Sequence, residues 1–513
     1  MSRTHSIACA LGLALAVATV PARADLSRHS NAIAGERPLG LGGAFTGLAD
    51  SPAAAYYNPA GLAHLPRRSA SVSLSLQVVE RLRIDDAYMT TAGPADIDSR
   101  GTPVLPIFSS VVSKFGRRDA EGMRRFAFAF TTVQPNRSSW QAVIDRRSDD
   151  PAIQDSLVVS QSYRDLWYGL SLAYRISPRY AVGLTAFLAT RDFRHTEGIT
   201  RIEEGMLDPA RGTFENPYFT VTDTLAEYDA WHMLVRAGAL ARPTNWLQIG
   251  AMVQSPGIQV RGEGRVRERT NFANLVADPG YATFYLSDQA GLPVDVRIPW
   301  QARLGLTVYA SDTLLLTGDV DVTGAYGSVS TPTRPIDIDD LEDANGRPPD
   351  FGFFVPRELS HRWSANAAIG AEWRITTELP LRIGFFTNFA SSTPIPSAPD
   401  VYHAPQVDYY GGTFALGYAR GDYDLTLGVA GRYGTGAAVG YNPDNASTSY
   451  FETQAESWAL HIFIGGYRRA ATTLVRDVGR RIRDRRRQDR NDEVNNEDSP
   501  SSDQGSDSAQ ETP

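Results

Sequence analysis

The chain has 513 residues, a formal net charge of −8 and a single cysteine, Cys9. An acidic balance excludes a nucleic-acid binder, which needs a basic face. One cysteine excludes a disulfide framework and any cysteine-built metal or nucleophile site, while 44 glycines, 22 tyrosines and 21 phenylalanines suit twisted β structure with aromatic girdles.

The first segment carries Arg3 and His5 ahead of an apolar run, Ile7 to Val20, followed by Pro21-Ala22-Arg23-Ala24. The run is short for a membrane-spanning helix. Ala22 and Ala24 are small residues of the kind a signal peptidase accepts, so residues 1–24 read as a signal peptide. Cys9 sits inside the run rather than at its end, which argues against a lipid anchor. Past residue 24 no stretch of 18 apolar residues occurs, and this excludes a helical membrane protein.

Residues 25–68 are rich in glycine and alanine and precede the first clear strand. From 69 to 468 one pattern recurs. Ala70, Val72, Leu74, Leu76 and Val78 alternate with Ser69, Ser71, Ser73, Ser75 and Gln77, the period of a strand with one apolar face. Trp363 to Ile375 and Tyr423 to Ala430 repeat it. About fourteen such strands are expected, near 69–80, 103–115, 124–134, 156–176, 179–195, 218–240, 246–264, 292–309, 312–328, 360–375, 380–391, 407–419, 422–434 and 454–468. The second is the weakest, because Val111-Val112 breaks its alternation.

The connections alternate between short and long. The short ones include Ser177-Pro178, Ala310-Ser311 and Arg420-Gly421; the long ones lie near 81–102, 135–155, 196–217, 265–291, 329–359, 392–406 and 435–453. Short turns on one side and long loops on the other predict an all-β fold: a transmembrane antiparallel β-barrel in a bacterial outer membrane, with its loops outside the cell. Aromatics beside the turns, among them Tyr180, Trp246, Tyr309, Trp373, Tyr418 and Tyr423, fit a membrane boundary. Residues 469–513 begin with a basic stretch, Arg476 to Arg490, and end in Asp, Ser and Gln. They read as a solvated, largely disordered tail on the periplasmic side.

The N-terminal segment carries the most specific motif. Gly40-Leu41-Gly42-Gly43-Ala44-Phe45 is followed by Ala49-Asp50 and then by Asn58-Pro59-Ala60-Gly61-Leu62. About forty residues here resemble the start of the long-chain fatty acid transporter family of outer-membrane proteins (FadL-like), and are similar also to the related PorV-type barrels of secretion systems. The resemblance implies a fourteen-stranded barrel whose lumen is plugged by residues 25–68. Its plug motif comprises Gly40, Gly42, Gly43, Asp50, Asn58, Pro59, Ala60 and Gly61. Small residues permit close packing and tight turns there, and Asn58-Pro59 favours a turn.

No nucleophile elbow and no His-Glu-x-x-His helix is present, so an enzyme and a cofactor are not expected. The acidic stretch Asp337 to Gly346 fails the EF-hand spacing; it reads as a hydrated loop, or as a loose divalent-ion site bridging lipopolysaccharide. A carboxylate ligand needs a cation in a partly apolar channel. By parity the lumen receives Arg236, Arg297, Arg303, Arg362, Arg374 and Arg382, together with Asp319, Asp321 and Glu372. Most of these are expected to pair with one another. The candidate ligand-binding residues are Arg303 and Arg236, beside Tyr309 and Leu234. The function expected is passive uptake of hydrophobic molecules, by resemblance long-chain fatty acids. The alternative is a PorV-like barrel that docks a partner protein. Other expected partners are outer-membrane lipid, lipopolysaccharide and the barrel-assembly machinery.

Overall fold

The computed structural model describes residues 28–468 apart from 29, 67, 102–104, 150–151, 204–205, 209–212, 216–217, 275–280, 331–353, 355–357, 400–401 and 444–448. The expected signal peptide, the acidic stretch 337–346 and the tail 469–513 lie outside the described residues.

Alternating sequence becomes strand throughout. The first are β1 (Arg68–Thr90), β2 (Gly93–Gly101), β3 (Leu105–Arg118), β4 (Arg124–Asp149), β5 (Ala152–Arg175), β6 (Tyr180–Glu203), β7 (Met206–Asp208) and β8 (Thr213–Glu215). Next come β9 (Tyr218–Ala241), β10 (Leu247–Gln254), β11 (Ile258–Asn274), β12 (Tyr281–Pro293), β13 (Gln301–Tyr309), β14 (Leu314–Thr323) and β15 (Tyr326–Ser330). The last are β16 (Glu358–His361), β17 (Ser364–Arg374), β18 (Pro380–Asn388), β19 (Gln406–Arg420), β20 (Tyr423–Tyr441) and β21 (Tyr450–Arg468).

The sheet closes on itself. β1 lies antiparallel to β21, with Ala70 opposite Arg468 and Ile84 opposite Ala455. From β1 the ring runs through β3, β4, β5, β6, β9, β10, β13, β14, β17, β18, β19, β20 and β21 by antiparallel pairings. The sheet counts seventeen strands in all, a small departure from the fourteen expected. The extra ones are β2, which continues along the upper part of β1, and the β11–β12 hairpin, which continues along the upper part of β9.

The face pattern follows the side chains. Ser69, Ser71 and Ser73 are buried inside, while Val72 and Leu74 are exposed outside with Leu170, Leu172, Leu304, Phe414, Leu427 and Ile464. That outward apolar band is what a bilayer requires of a barrel. Tyr180, Trp246, Trp373, Tyr418 and Tyr423 are also exposed, beside the short turns.

Two expectations are corrected. Most of the long loops are not loops. β4 has 26 residues and β5, β6 and β9 have 24 each, against about 9–11 for a membrane strand. The expected loops 81–102, 135–155, 196–217 and 265–291 are largely the upper ends of such strands. Water lies on the outer face at that height, so the apolar alternation stops although the ladder continues. Cross-strand pairs take over, such as Arg81–Asp98 at 2.7 Å and Arg265–Asp288 at 2.6 Å.

The second correction concerns the strand expected at 292–309. Residues 294–300 leave the ladder, and Arg297, placed in the lumen by parity, is exposed and pairs with Asp295 at 2.9 Å. Pro256 and Pro299 lack the N–H groups a continuous ladder needs. The break is bridged instead, by Gly257 N donating to Ile298 O at 2.9 Å and Gln254 Nε2 donating to Pro299 O at 3.0 Å.

Candidate functional site: the lumenal segment and its chamber

The segment from Ser30 to Pro66 fills the ring. It has one turn of α-helix at Glu36–Gly40, another at Ala54–Tyr57 and a 3-10 turn at Pro59–His64. Lacking sheet partners, its backbone must find other ones, and the wall supplies them as side chains. Asp319 accepts from Phe45 N at 2.9 Å and Thr46 N at 2.7 Å. Gln248 Nε2 donates to Leu48 O at 2.9 Å, Thr185 Oγ1 to Ala55 O at 2.9 Å, Thr413 Oγ1 to Gly40 O at 3.2 Å and Lys114 Nζ to Ala63 O at 2.6 Å. Arg37 forks onto Glu372 at 3.1 and 2.9 Å and also meets Asp50. Glu372 in turn accepts from Arg382 Nε at 2.8 Å.

Each residue of the motif has a place in this arrangement. Gly42 and Gly43 turn the chain with φ of 65° and 87°. Asn58 is wholly buried; its Oδ1 accepts from Ala60 N at 3.2 Å and its Nδ2 donates to Thr46 O and to Ala239 O, both at 3.0 Å. Pro59 opens the 3-10 turn. A Cβ on Gly61 would stand 2.0 Å from Ala49 O, and one on Gly40 would stand 3.0 Å from the Arg382 side chain.

The wall answers with glycines of its own. Gly183 faces Gly238 across one ladder, Gly250 faces Gly305, and Gly370 faces Gly384. A Cβ on Gly183 would fall 2.4 Å from Pro59 C, on Gly250 2.0 Å from Thr46 O, on Gly305 2.3 Å from Gly47 N and on Gly384 2.2 Å from Gly42 N. The six form a belt on which the backbone of the segment lies directly.

Beside the segment is a cavity of about 100 Å³ lined by Tyr56, Tyr57, Gln301, Arg303, Asp319, Asp321, Asn366 and Phe389, among others. Arg303 stands 3.7 Å from Asp321 with its guanidinium 5.3 Å from the Tyr57 ring centre. Towards the long-loop end the inward faces are apolar. Leu82, Ile84, Ile97, Trp140, Ile144, Leu157, Val159, Val407 and Val439 form one buried cluster, into which Phe354, Ile395 and Tyr402 insert from connecting segments.

This architecture has solved counterparts. A FadL homologue from Pseudomonas aeruginosa superimposes with a TM-score of 0.55 at 13% identity, over 86% of this chain and 99% of that one. The toluene transporter TodX from P. putida gives 0.53 at 14% identity, over 85% and 98%. The fold is FadL-like. No protein-family model matches the chain, and no curated protein matches it in sequence.

Within this FadL-like barrel the candidate ligand residues do not come together. Arg236 is fully buried and committed to the segment. It donates to Tyr56 O and, at 2.9 Å, to Gln254 Oε1, and its guanidinium lies 4.0 Å from the Tyr56 ring centre and 5.2 Å from that of Trp167. Arg303 borders the cavity. Tyr309, six residues further along β13, lies about 20 Å away at the short-turn end, where its hydroxyl is 3.5 Å from Gln248 Oε1. Arg382 is buried between Glu372 and Asp424. Arg374 is exposed at the rim rather than enclosed. Sequence reasoning missed Tyr56, Tyr57 and Trp167, and it missed the glycine belt. The signal for the belt was present: all six glycines fall on lumen-facing positions of their strands.

Proposed function

We propose that the chain is an outer-membrane channel that admits hydrophobic small molecules, its long-loop end facing outward and its short-turn end facing the periplasm. The observation that carries this is the apolar cluster inside the upper barrel. A general porin keeps a polar, water-filled lumen, whereas here inward strand faces present leucine, isoleucine, valine and tryptophan to one another and to inserted loop residues. A solute entering that region exchanges water for apolar contact. Below it the lumenal segment closes the straight path, so passage requires local movement of the segment or of the side chains around Arg303. Likeness in fold to a toluene transporter supports the hydrophobic class, and the resemblance at residues 40–62 makes long-chain fatty acids the first ligands to test.

The test is binding of a fluorescent long-chain fatty acid to the detergent-folded protein, with oleate and toluene as competitors. Saturable binding displaced by either one supports the channel. Displacement by oleate alone names fatty acids. No binding by a protein that still shows heat-modifiable migration overturns the reading, and a barrel that docks a partner protein then takes its place.

A further inference from the structure

The short-turn mouth contains a second cavity that the channel reading leaves unused. It encloses about 630 Å³ and is lined by Leu48, Leu65, Leu240, Arg179, Arg242 and His64, with further arginines around them. Its charge is lopsided. Arg175 is neutralised by Asp119 at 2.6 Å and Glu121 at 2.5 Å, and Arg37 by Glu372 and Asp50. Arg179 and Arg242 are exposed to the cavity, and among the described residues neither has a carboxylate partner. Arg242 leans instead on neutral groups. It donates to Gln248 Oε1 at 2.6 Å from Nη2 and 3.1 Å from Nε, and its guanidinium lies 5.7 Å from the Tyr309 ring centre. Lys114 adds a further cation nearby, its Nζ on Ala63 O. The His64 imidazole feels the excess: burial first, then Arg175, Arg242 and Lys114, push it down to about 4.

An apolar patch beside two guanidiniums without carboxylate partners is complementary to one chemical class. A neutral hydrocarbon gains nothing from the arginines, and a small inorganic anion gains nothing from the leucines. A guanidinium matches a carboxylate in shape and charge, and leucine side chains match an alkyl chain. We infer that the mouth receives amphipathic monocarboxylates, Arg179 and Arg242 taking the head group and Leu48, Leu65 and Leu240 the first part of the chain. The inference rests on the channel reading, and it narrows the cargo to acids rather than hydrocarbons. A solute descending past the segment meets this field as it leaves the lumen, so the cationic mouth draws the head group towards the short-turn end.

Calorimetric titration of the full-length protein in a non-ionic detergent tests it, with dodecanoate and dodecanol as probes of equal chain length. Parent protein is expected to bind both. In the Arg179→Gln/Arg242→Gln double variant the dodecanoate Kd is expected to rise about tenfold, the size of a lost charge-assisted contact in a half-open site, while the dodecanol Kd stays within about twofold. Raised salt should shrink the difference between parent and variant. The Arg179→Lys/Arg242→Lys variant keeps the charge and should keep most of the acid affinity, which separates loss of charge from loss of fold. Unchanged dodecanoate binding in the Gln variant overturns the mouth site and leaves the channel reading standing. Equal loss of both probes also overturns it, because the effect is then not on the head group. Failure of the parent to bind either probe removes the channel reading as well.

Discussion

Single atoms decide how closely the lumenal segment approaches the wall, and the glycine belt allows this to be tested one Cβ at a time. Gly384 and Gly318 both lie in barrel strands, but on opposite faces. A Cβ at Gly384 meets backbone atoms of Leu41 and Gly42 at 2.3 and 2.2 Å, whereas at Gly318 the nearest atoms stand at 3.7 Å. Backbone cannot swing aside as a long side chain can. Gly384→Ala should therefore lower unfolding stability in urea by about 1–3 kcal/mol, the usual cost of overpacking, while Gly318→Ala should stay within about 0.5 kcal/mol of the parent. Equal midpoints for the two variants would mean that the segment does not rest on the belt. A second test at this scale concerns His64. In the unfolded chain its imidazole takes a proton near 6.5, and in the folded protein only near about 4. Between those values the unfolded state binds the extra proton, so stability is lost as pH falls through that window and is fully present above it. His64→Gln removes this contribution, and the drop in unfolding midpoint between pH 7 and pH 4.5 should be smaller in the variant. An identical drop in both proteins would show that the mouth does not hold back the proton.

The segment 30–66 is an element without regular structure of its own, stabilised by what surrounds it. Strand pairing around the ring does not depend on it: the ladder from β1 to β21 is continuous through backbone hydrogen bonds between neighbouring strands. Deleting residues 25–62 should thus leave a barrel that still shows heat-modifiable migration, yet alter ligand handling by opening the lumen. Planar-bilayer conductance is the direct measure, and a variant that folds and conducts like the parent would sink the idea that the segment closes the channel. The element scale also shows what could be read in advance. Outward positions such as Val72, Trp363 and Leu427 announce themselves because lipid demands an apolar residue at every second place. Upper-strand positions such as Arg83 and Asp96, paired at 2.7 Å, do not, because water accepts almost any side chain there and the ladder is held by cross-strand charge. The Asn58-Pro59-Ala60-Gly61 motif was legible because its residue types are those a buried turn requires. The separation of Tyr309 from Arg303 was not, because parity gives the face of a strand but not the height at which a folded segment crosses it.

At the scale of the whole molecule the barrel has two tiers. In the lower tier β9 is joined by β10, from Arg236 opposite Gln254 to Ala241 opposite Ile249, and β10 passes the ring on to β13. In the upper tier β9 is joined instead by β11, from Met233 opposite Ile258 to Tyr218 opposite Asn274, and β11 pairs onward only with β12. The β11–β12 hairpin therefore extends the wall without closing it. It also stands apart from the upper apolar cluster, whose strand residues come from β1, β2, β4, β5, β6, β19, β20 and β21. If closure and ligand entry are both set by the ring and that cluster, the hairpin is dispensable for each. Replacing residues 260–291 with a short Gly-Ser turn should leave heat-modifiable migration intact, keep the urea midpoint close to that of the parent and preserve fatty-acid binding within about threefold, an energetic change of less than 1 kcal/mol. The turn must spare Gln259, whose Nε2 and Oε1 bond Val294 O and Val296 N and hold the irregular segment 294–300 against the wall. Loss of the folded band would show that the two tiers fold as one unit. Loss of binding in a folded barrel would place the entrance on the hairpin rather than in the apolar interior.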